Sequence, residues 1–551
     1  MTKLLPLGKI WTVCCVVSIL VAHGARGEDS GLIGRWKLSG DAKDSSGQGH
    51  DAINHGADLT APGPDGKANG AARFDGTGAF LEVPATESLK LGKGDFTITL
   101  RAHTDRELDD VVGDLVSKFD PAARRGFNWC IKDGYGCVGS QANFRNIQFG
   151  IDNGTEPKWT DCGKPGNSIY VFALTVFDGQ LFAGICEPGK DETGHVYRYA
   201  GGSKWIDCGS LDKSNAVTAL AVYDGHLYAG TGHYQLQGTR LKNSPNTTFG
   251  GKIFRYESDG HWTDCGRLKD AEGVGALCVF RGQLYASSMY DRNQYRFAGD
   301  NEWVPIASGV WVYAMGVFNH NLYGTCWNQC SVFRFDGKSW SDPATLEPLG
   351  QTYSFESHKG DLVCGTWKRA HVWRTHDGKN WTDSGRLGEE LETMGMAVYN
   401  GKLYGGTLPL AQVYRLDDSA TWTLTGRLDY TDTPFRRAWS MALYQGKLFC
   451  GVVPTGHVHA LTAGANVSYD RELESGWKHL AAVKQGDHLK LFVDGKQVAE
   501  STIANPSDLD LANNEPLKIG FGENDYFRGS LSDVRLYGKA LSADEIAKQN
   551  Q

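Results

Sequence analysis

The sequence predicts an all-β protein, and three observations carry that expectation. A tryptophan returns seven times along the middle of the chain, at Trp159, Trp205, Trp262, Trp303, Trp340, Trp381 and Trp422, mostly in the frame W-x-D-x-G. Seventy glycines against seventeen prolines give the turn-rich balance that many short strands require, without a collagen period. On both sides of the repeat stand stretches that alternate apolar and polar residues as half-buried strands do, such as HLKLFVDG at 488–495.

A chain of 551 residues with 40% hydrophobic content is too long for one core, so more than one domain is expected. The formal charge of -8 comes with no Lys/Arg run that would track a phosphate backbone, which excludes nucleic acid as an expected partner. At the N-terminus, Lys3 and Lys9 precede or open an apolar run over 10–22, followed by small residues at Gly24 and Gly27. That pattern predicts a signal peptide over 1–27, with a retained anchor as the alternative. The run falls short of the roughly 20 residues a membrane span needs. A secreted, periplasmic or cell-surface protein without a transmembrane segment after cleavage is therefore expected.

Thirteen cysteines become eleven once Cys14 and Cys15 leave with the signal, an odd number that leaves at least one thiol free. Cys130 with Cys137, and Cys326 with Cys330, flank short segments, so either pair has the spacing to close a hairpin in an oxidising compartment. Cys162, Cys208 and Cys265 share one slot of the repeat and are read as buried apolar fillers. No cysteine or histidine spacing points to zinc.

Within each repeat an apolar strand ending in a turn (ALTVFDG, ALAVYDG, ALCVFRG, GMAVYNG) is followed by LFAG, LYAG or LYGG, and then by VYRY, IFRY or VFRF. With the Trp segment this makes four strands, joined by turns such as Asp224-Gly225, Asp259-Gly260, Asp336-Gly337 and Asp377-Gly378. Seven copies of four strands predict a seven-bladed β-propeller over 157–463. The series opens on a lone outer-type strand at 158–163 and ends without one. That strand is expected to complete the seventh blade and to bring Gly154 close to Gly464. The arginine that recurs once per blade (Arg198, Arg255, Arg296, Arg334, Arg374, Arg415) is read as scaffold, tying a blade to its neighbour or to an outer-turn aspartate.

The flanking segments carry a resemblance. GLIGRWKLSGDAKDSSGQGHDAINHGADL (31–59), ARFDGTGAFLEVP (72–84) and GDFTITL (94–100) resemble the first strands of a LamG-like, concanavalin A-like jelly roll. GWKHLAAVKQGDHLKLFVDGKQVAES (476–501) and LKIGFGENDYFRGSLSDVRLYGKALSADEIAKQ (517–549) resemble its last strands. The expected architecture is a concanavalin A-like jelly-roll sandwich written in two sequence halves, 31–154 and 465–551, with the propeller inserted. The propeller resembles kelch-like and Asp-box-like repeats loosely: THDGKNW (375–381) is one residue short of an Asp box, and the kelch Gly-Gly pair is clear only at Gly405-Gly406. The LamG resemblance implies carbohydrate or protein binding, sometimes through calcium. No Asp-rich loop of calcium spacing is evident, so calcium rests on resemblance alone.

Positions that vary between copies of a repeat are released from the scaffold and mark candidate binding surface. At one mouth of the channel these include Tyr290, Trp311, Tyr313, Trp327, Tyr353, Trp367 and Trp439, aromatics suited to the apolar face of a sugar. Glu356 stands out because its equivalents are Thr175, Ala221, Cys278, Gly316, Ala397 and Ala442. It is expected to point into the channel, as an acid, a base or an ion ligand, or, in the favoured reading, as a carboxylate solvated by channel water. A glycosidase needs two carboxylates about 5 to 10 Å apart, and Glu392 is the candidate partner. No catalytic set and no metal ligands are assigned. The expected function is an exported non-catalytic protein that binds a polysaccharide, a surface glycoconjugate or a protein. The alternative is an exported glycoside hydrolase or lyase using the channel mouth.

Overall fold

The structure is a computed structural model describing residues 1–2, 30–106, 112–135 and 140–550. The expected signal peptide beyond its first two residues, and Cys137, lie outside the described residues. The protein is all-β: strands dominate throughout, and the one described α-helix is Ala543–Gln549. Among the described residues no helix is long and apolar enough to cross a membrane.

Two sheets face each other across one core. The first runs Asp58–Ala61, Ala71–Asp75, Arg528–Tyr537, Phe96–Thr104, Gly476–Gln485, His488–Val493, Lys496–Thr502, with Leu32–Trp36 also paired to Arg528–Tyr537. The second runs Ile53–His55, Phe80–Val83, Leu517–Ile519, Gly113–Asp120, Arg125–Gly134, Asn143–Asn153, Ala465–Tyr469. Each sheet mixes strands from the two ends of the chain, so neither end builds a sheet of this size alone. Strand alternation then divides the faces. Phe127, Trp129 and Ile131 meet Phe96, Ile98 and Leu100 in the core, while Asn128, Cys130 and Lys132 point the other way.

Residues 158–462 form seven sets of four antiparallel strands. The first set is Tyr170–Phe177, Gln180–Cys186, His195–Tyr199 and Trp205–Ser210. The last joins Arg437–Tyr444, Lys447–Val453 and Val458–Thr462 to the early strand Lys158–Asp161, in register from Lys158↔Thr462 to Asp161↔His459. The inner strands contact one another in succession, and the first lies against the last. The chain leaves the second sheet on Asn143–Asn153 and re-enters it on the neighbouring strand, with Ala465 opposite Ile151.

The repeated residues act as ties between sets. Trp205 Nε1 donates to Cys162 O at 3.0 Å, Trp262 to Cys208 O at 2.8 Å, Trp303 to Cys265 O at 2.9 Å and Trp422 to Ser384 O at 2.9 Å. Each tryptophan thus bonds to the backbone of the W-x-D-x-G element in the preceding set. The glycine of that element holds φ near +100° in Gly209 (φ 105) and Gly266 (φ 95), a region a side chain resists. The arginines differ from copy to copy: Arg198 pairs with Asp259 of the next set at 2.6 Å, whereas Arg415 pairs with Asp417 inside its own set at 2.6 Å. Cys162, Cys208 and Cys265 are buried free thiols, and so are Cys326 and Cys330.

The ring and the sandwich interlock. The turn ends of the inner hairpins lie on the second sheet and its loops: Gly179 N donates to Asp470 O at 2.8 Å, and Asn400 Nδ2 to Ala463 O at 2.7 Å. Described residues at either end of the segment between Arg125–Gly134 and Asn143–Asn153 reach the inner strands from that side. Tyr135 OH donates to Val317 O, Thr175 Oγ1 to Gln141 O, and Asn143 exchanges two hydrogen bonds with the backbone of Leu443, at 2.8 and 3.0 Å. Glu356 belongs to this end. It is 1% exposed and accepts from Lys132 Nζ of the second sheet at 2.7 Å. The expectation that channel water solvates Glu356 is therefore corrected: the sandwich supplies a buried cation where open solvent was expected.

Candidate functional site

Because the turns of the inner hairpins face the sandwich, their opposite ends open away from it. These are the ends marked by the pairs Tyr170↔Cys186, Gln351↔Trp367 and Arg437↔Val453. Seven of the eight residues singled out from sequence come together there, and Glu356 does not. Tyr290, Trp311, Trp327 and Trp367 are half-buried and form a rim. Trp327 lies 5.4 Å from Tyr290, 5.2 Å from Trp311 and 4.9 Å from Tyr313, measured between ring centres. Lys368 Nζ sits 5.1 Å over the Trp367 ring. Beneath the rim, Tyr313, Tyr353 and Trp439 are buried. Trp439 is 2% exposed, donates from Nε1 to Phe172 O at 3.1 Å and packs edge-on against Tyr170 at 5.0 Å. It supports the site from below and offers no face to a ligand.

Two features escaped the residue-by-residue reading. One is the connection between His226–Gly232 and Lys252–Ser258, which crosses the mouth and seats Tyr234 against Tyr170 at 5.2 Å and Phe172 at 4.6 Å. Asn215 holds it by accepting from Tyr234 N at 2.7 Å and donating to Tyr234 O at 3.0 Å. Its signal in the sequence was the longest interval in the tryptophan series, from Trp205 to Trp262. The other is the setting of Glu392, which the sequence offers only as a catalytic partner: it is 4% exposed among the tyrosines of the floor, within the electrostatic reach of Arg437, itself 7% exposed. Burial pushes the Glu392 carboxyl up to about 7, while Arg437 and a hydrogen bond with Tyr353 hold it back. Its Oε1 has no hydrogen-bond partner. The site is thus an aromatic rim over a floor of one carboxyl, one guanidinium and several phenols.

The raised carboxyl has a testable sign. A carboxyl whose native value lies above its ordinary 4.5 binds more protons in the folded state between the two values, so its stabilising contribution is present below pH 4.5 and is lost as pH approaches 7. Glu392→Gln should therefore gain thermal stability relative to the wild type as pH rises from 4.5 to 7, with a constant difference above that. Parallel melting curves for the two proteins across this range would show that Glu392 is not raised.

Residues 418–547 match the family model for Laminin_G_3, the concanavalin A-like lectin/glucanases superfamily. The match begins inside the ring, ahead of the Trp422–Arg427 strand, and extends through the sandwich strands that follow Ala465. No curated protein sequence matches the chain. Among solved structures, the chain is similar to a catalytically inactive virginiamycin B lyase from Staphylococcus aureus in complex with quinupristin. That pair shares 12% identity over 56% of this chain and 99% of the other, with a TM-score of 0.42. It is also similar to the WD40 β-propeller domain of Doa1 (11% identity, 55% and 97% covered, TM-score 0.38) and to a Trypanosoma rangeli sialidase (10% identity, 72% and 96% covered, TM-score 0.28).

Proposed function

We propose that this chain is an exported, non-catalytic binding protein that recognises carbohydrate. In this reading residues 31–154 and 465–551 are the two halves of one LamG-like jelly roll, residues 157–463 are an inserted seven-bladed β-propeller, and the ligand sits at the propeller mouth. The observation that carries it is the half-buried rim of Tyr290, Trp311, Trp327 and Trp367 above a polar floor. A pyranose presents an apolar face that stacks on such rings and hydroxyls that need donors and acceptors. The superfamily matched at 418–547 agrees with a carbohydrate-related role. Binding is favoured over hydrolysis because Glu356, the carboxylate set with Glu392 in the enzymatic expectation, lies at the opposite, sandwich-facing end beside Lys132, whereas a glycosidase holds its two carboxylates about 5 to 10 Å apart.

A glycan array probed with the mature protein, with and without calcium, identifies the ligand. Trp327→Ala and Trp367→Ala should then each weaken binding by about 1 to 3 kcal/mol. The melting temperature should barely move, because both rings are only half-buried. Unchanged affinity in the double variant would remove the mouth as the site, and turnover of any bound glycan would replace the binding reading with the enzymatic one.

A further inference from the structure

The sandwich sheet turned away from the ring carries a second arrangement that the mouth does not explain. Phe96, Ile98, Leu100 and Ala102 of its central strand point into the core. Alternation then puts Arg101 and His103 on the outer face. Arg101 stands opposite His479 on one neighbouring strand and Ser532 on the other. Two residues along, His103 stands opposite Trp477 and Ser530, and Ser530 opposite Arg73 on the next strand. These positions form two adjacent rows on one face of the sheet. The C-terminal helix covers the rest of that face, packing Ile546 against Ala481, Val483 and Tyr537.

The charges in the rows are not all answered from within. Arg535 and Arg35 share the single carboxylate of Asp533. Arg73 reaches Asp105 at 3.2 Å, and His103 lies 3.9 Å from the same group. Arg101 donates to the helix carbonyl of Gln549 at 2.9 Å and meets no carboxylate among the described residues. His479 is 3% exposed with an Nδ1 that has no partner, and burial together with Arg101 and Arg535 pushes it down to about 4. It is uncharged at neutral pH and adds polarity without repelling a cation. Beside this row, Trp477 is half-buried, 5.3 Å from the His103 ring.

We propose that this outer face, centred on Arg101 and Trp477, is a second binding site that takes an anionic polysaccharide. A sugar ring stacks on Trp477 while an oxyanion on the same chain, carboxylate or sulfate ester, accepts hydrogen bonds from the guanidinium of Arg101. The whole chain carries a formal charge of -8, so the attraction is confined to the contact itself. The site is independent of the mouth and lies on the far side of the sandwich core from the ring.

The test uses the full mature chain carrying Trp327→Ala and Trp367→Ala, so that the mouth is silenced, and titrates it with polygalacturonate, dextran sulfate and neutral dextran. Binding to at least one acidic polymer is expected, falling about tenfold or more on Arg101→Gln or on Trp477→Ala. Polygalacturonate alone would assign a carboxylate, dextran sulfate alone a sulfate ester, and both a general oxyanion site. Arg101 also caps the helix, so the melting temperature of Arg101→Gln is recorded, and Trp477→Ala provides the independent variant. Absence of binding to both acidic polymers, or binding that neither substitution weakens, overturns the proposal. Binding of neutral dextran to the unsubstituted protein bears only on the mouth.

Discussion

Replacing Lys132 with methionine is expected to cost about 3 to 5 kcal/mol of stability, and replacing Glu356 with leucine a similar amount. Both side chains are 1% exposed, and Nζ lies 2.7 Å from Oε1, so removing either leaves the other buried without its partner. Burial already raises the Glu356 carboxyl, and Lys132 is what holds it down. Without the lysine the protein must either protonate Glu356 or bury it unpaired, so the loss in Lys132→Met should deepen as pH rises. The double variant Lys132→Met, Glu356→Leu removes both charges and should recover most of the loss, since apolar groups of similar size often replace a buried pair at little cost. Calorimetry of the four proteins measures the coupling. Losses that simply add in the double variant would mean the two groups do not act as a pair. One residue belongs to the sandwich and the other to the ring, so the same series measures how firmly the two are joined.

Trp439→Ala is expected to cost about 3 to 5 kcal/mol, the range for emptying a buried aromatic site, and to leave the carbonyl of Phe172 without its donor. Trp439→Phe should cost less because it keeps most of the packing against Tyr170 and Phe172. Trp327→Ala should change stability little and binding much, although the two residues have equivalent standing in a sequence-only reading. Chemical denaturation and ligand titration on the same three variants separate the roles. A stable Trp439→Ala with weakened binding would place that ring on the rim instead of beneath it.

The repeat was legible because it is local physics written several times. A tryptophan that must reach the carbonyl of the preceding set, a glycine that must hold a positive φ, and a hairpin turn between short strands leave the same letters in each copy. Closure by the strand at 158–161 was legible for the same reason, since a series that starts with an outer strand and ends without one has a single complement. The gathering of the aromatics also followed from ring position. Their division into rim and floor did not, because it depends on which rings other residues cover, and Tyr234 arrives from a connection outside the repeat.

The sequence by itself determined the strands and their sevenfold recurrence, because alternation and turn chemistry are properties of neighbouring residues, while the pairing of the two chain ends into one sandwich came from their resemblance to the two parts of a LamG-like jelly roll. Only the tertiary structure decided what the polar face of the second sheet meets. Asn128, Lys132 and Gln148 are polar, and in the fold they are buried against the ring. The physical reason is that burial and charge pairing belong to surfaces brought together from distant parts of the chain. Lys132 and Glu356 stand 224 positions apart, and nothing local to either says that the other will answer its charge.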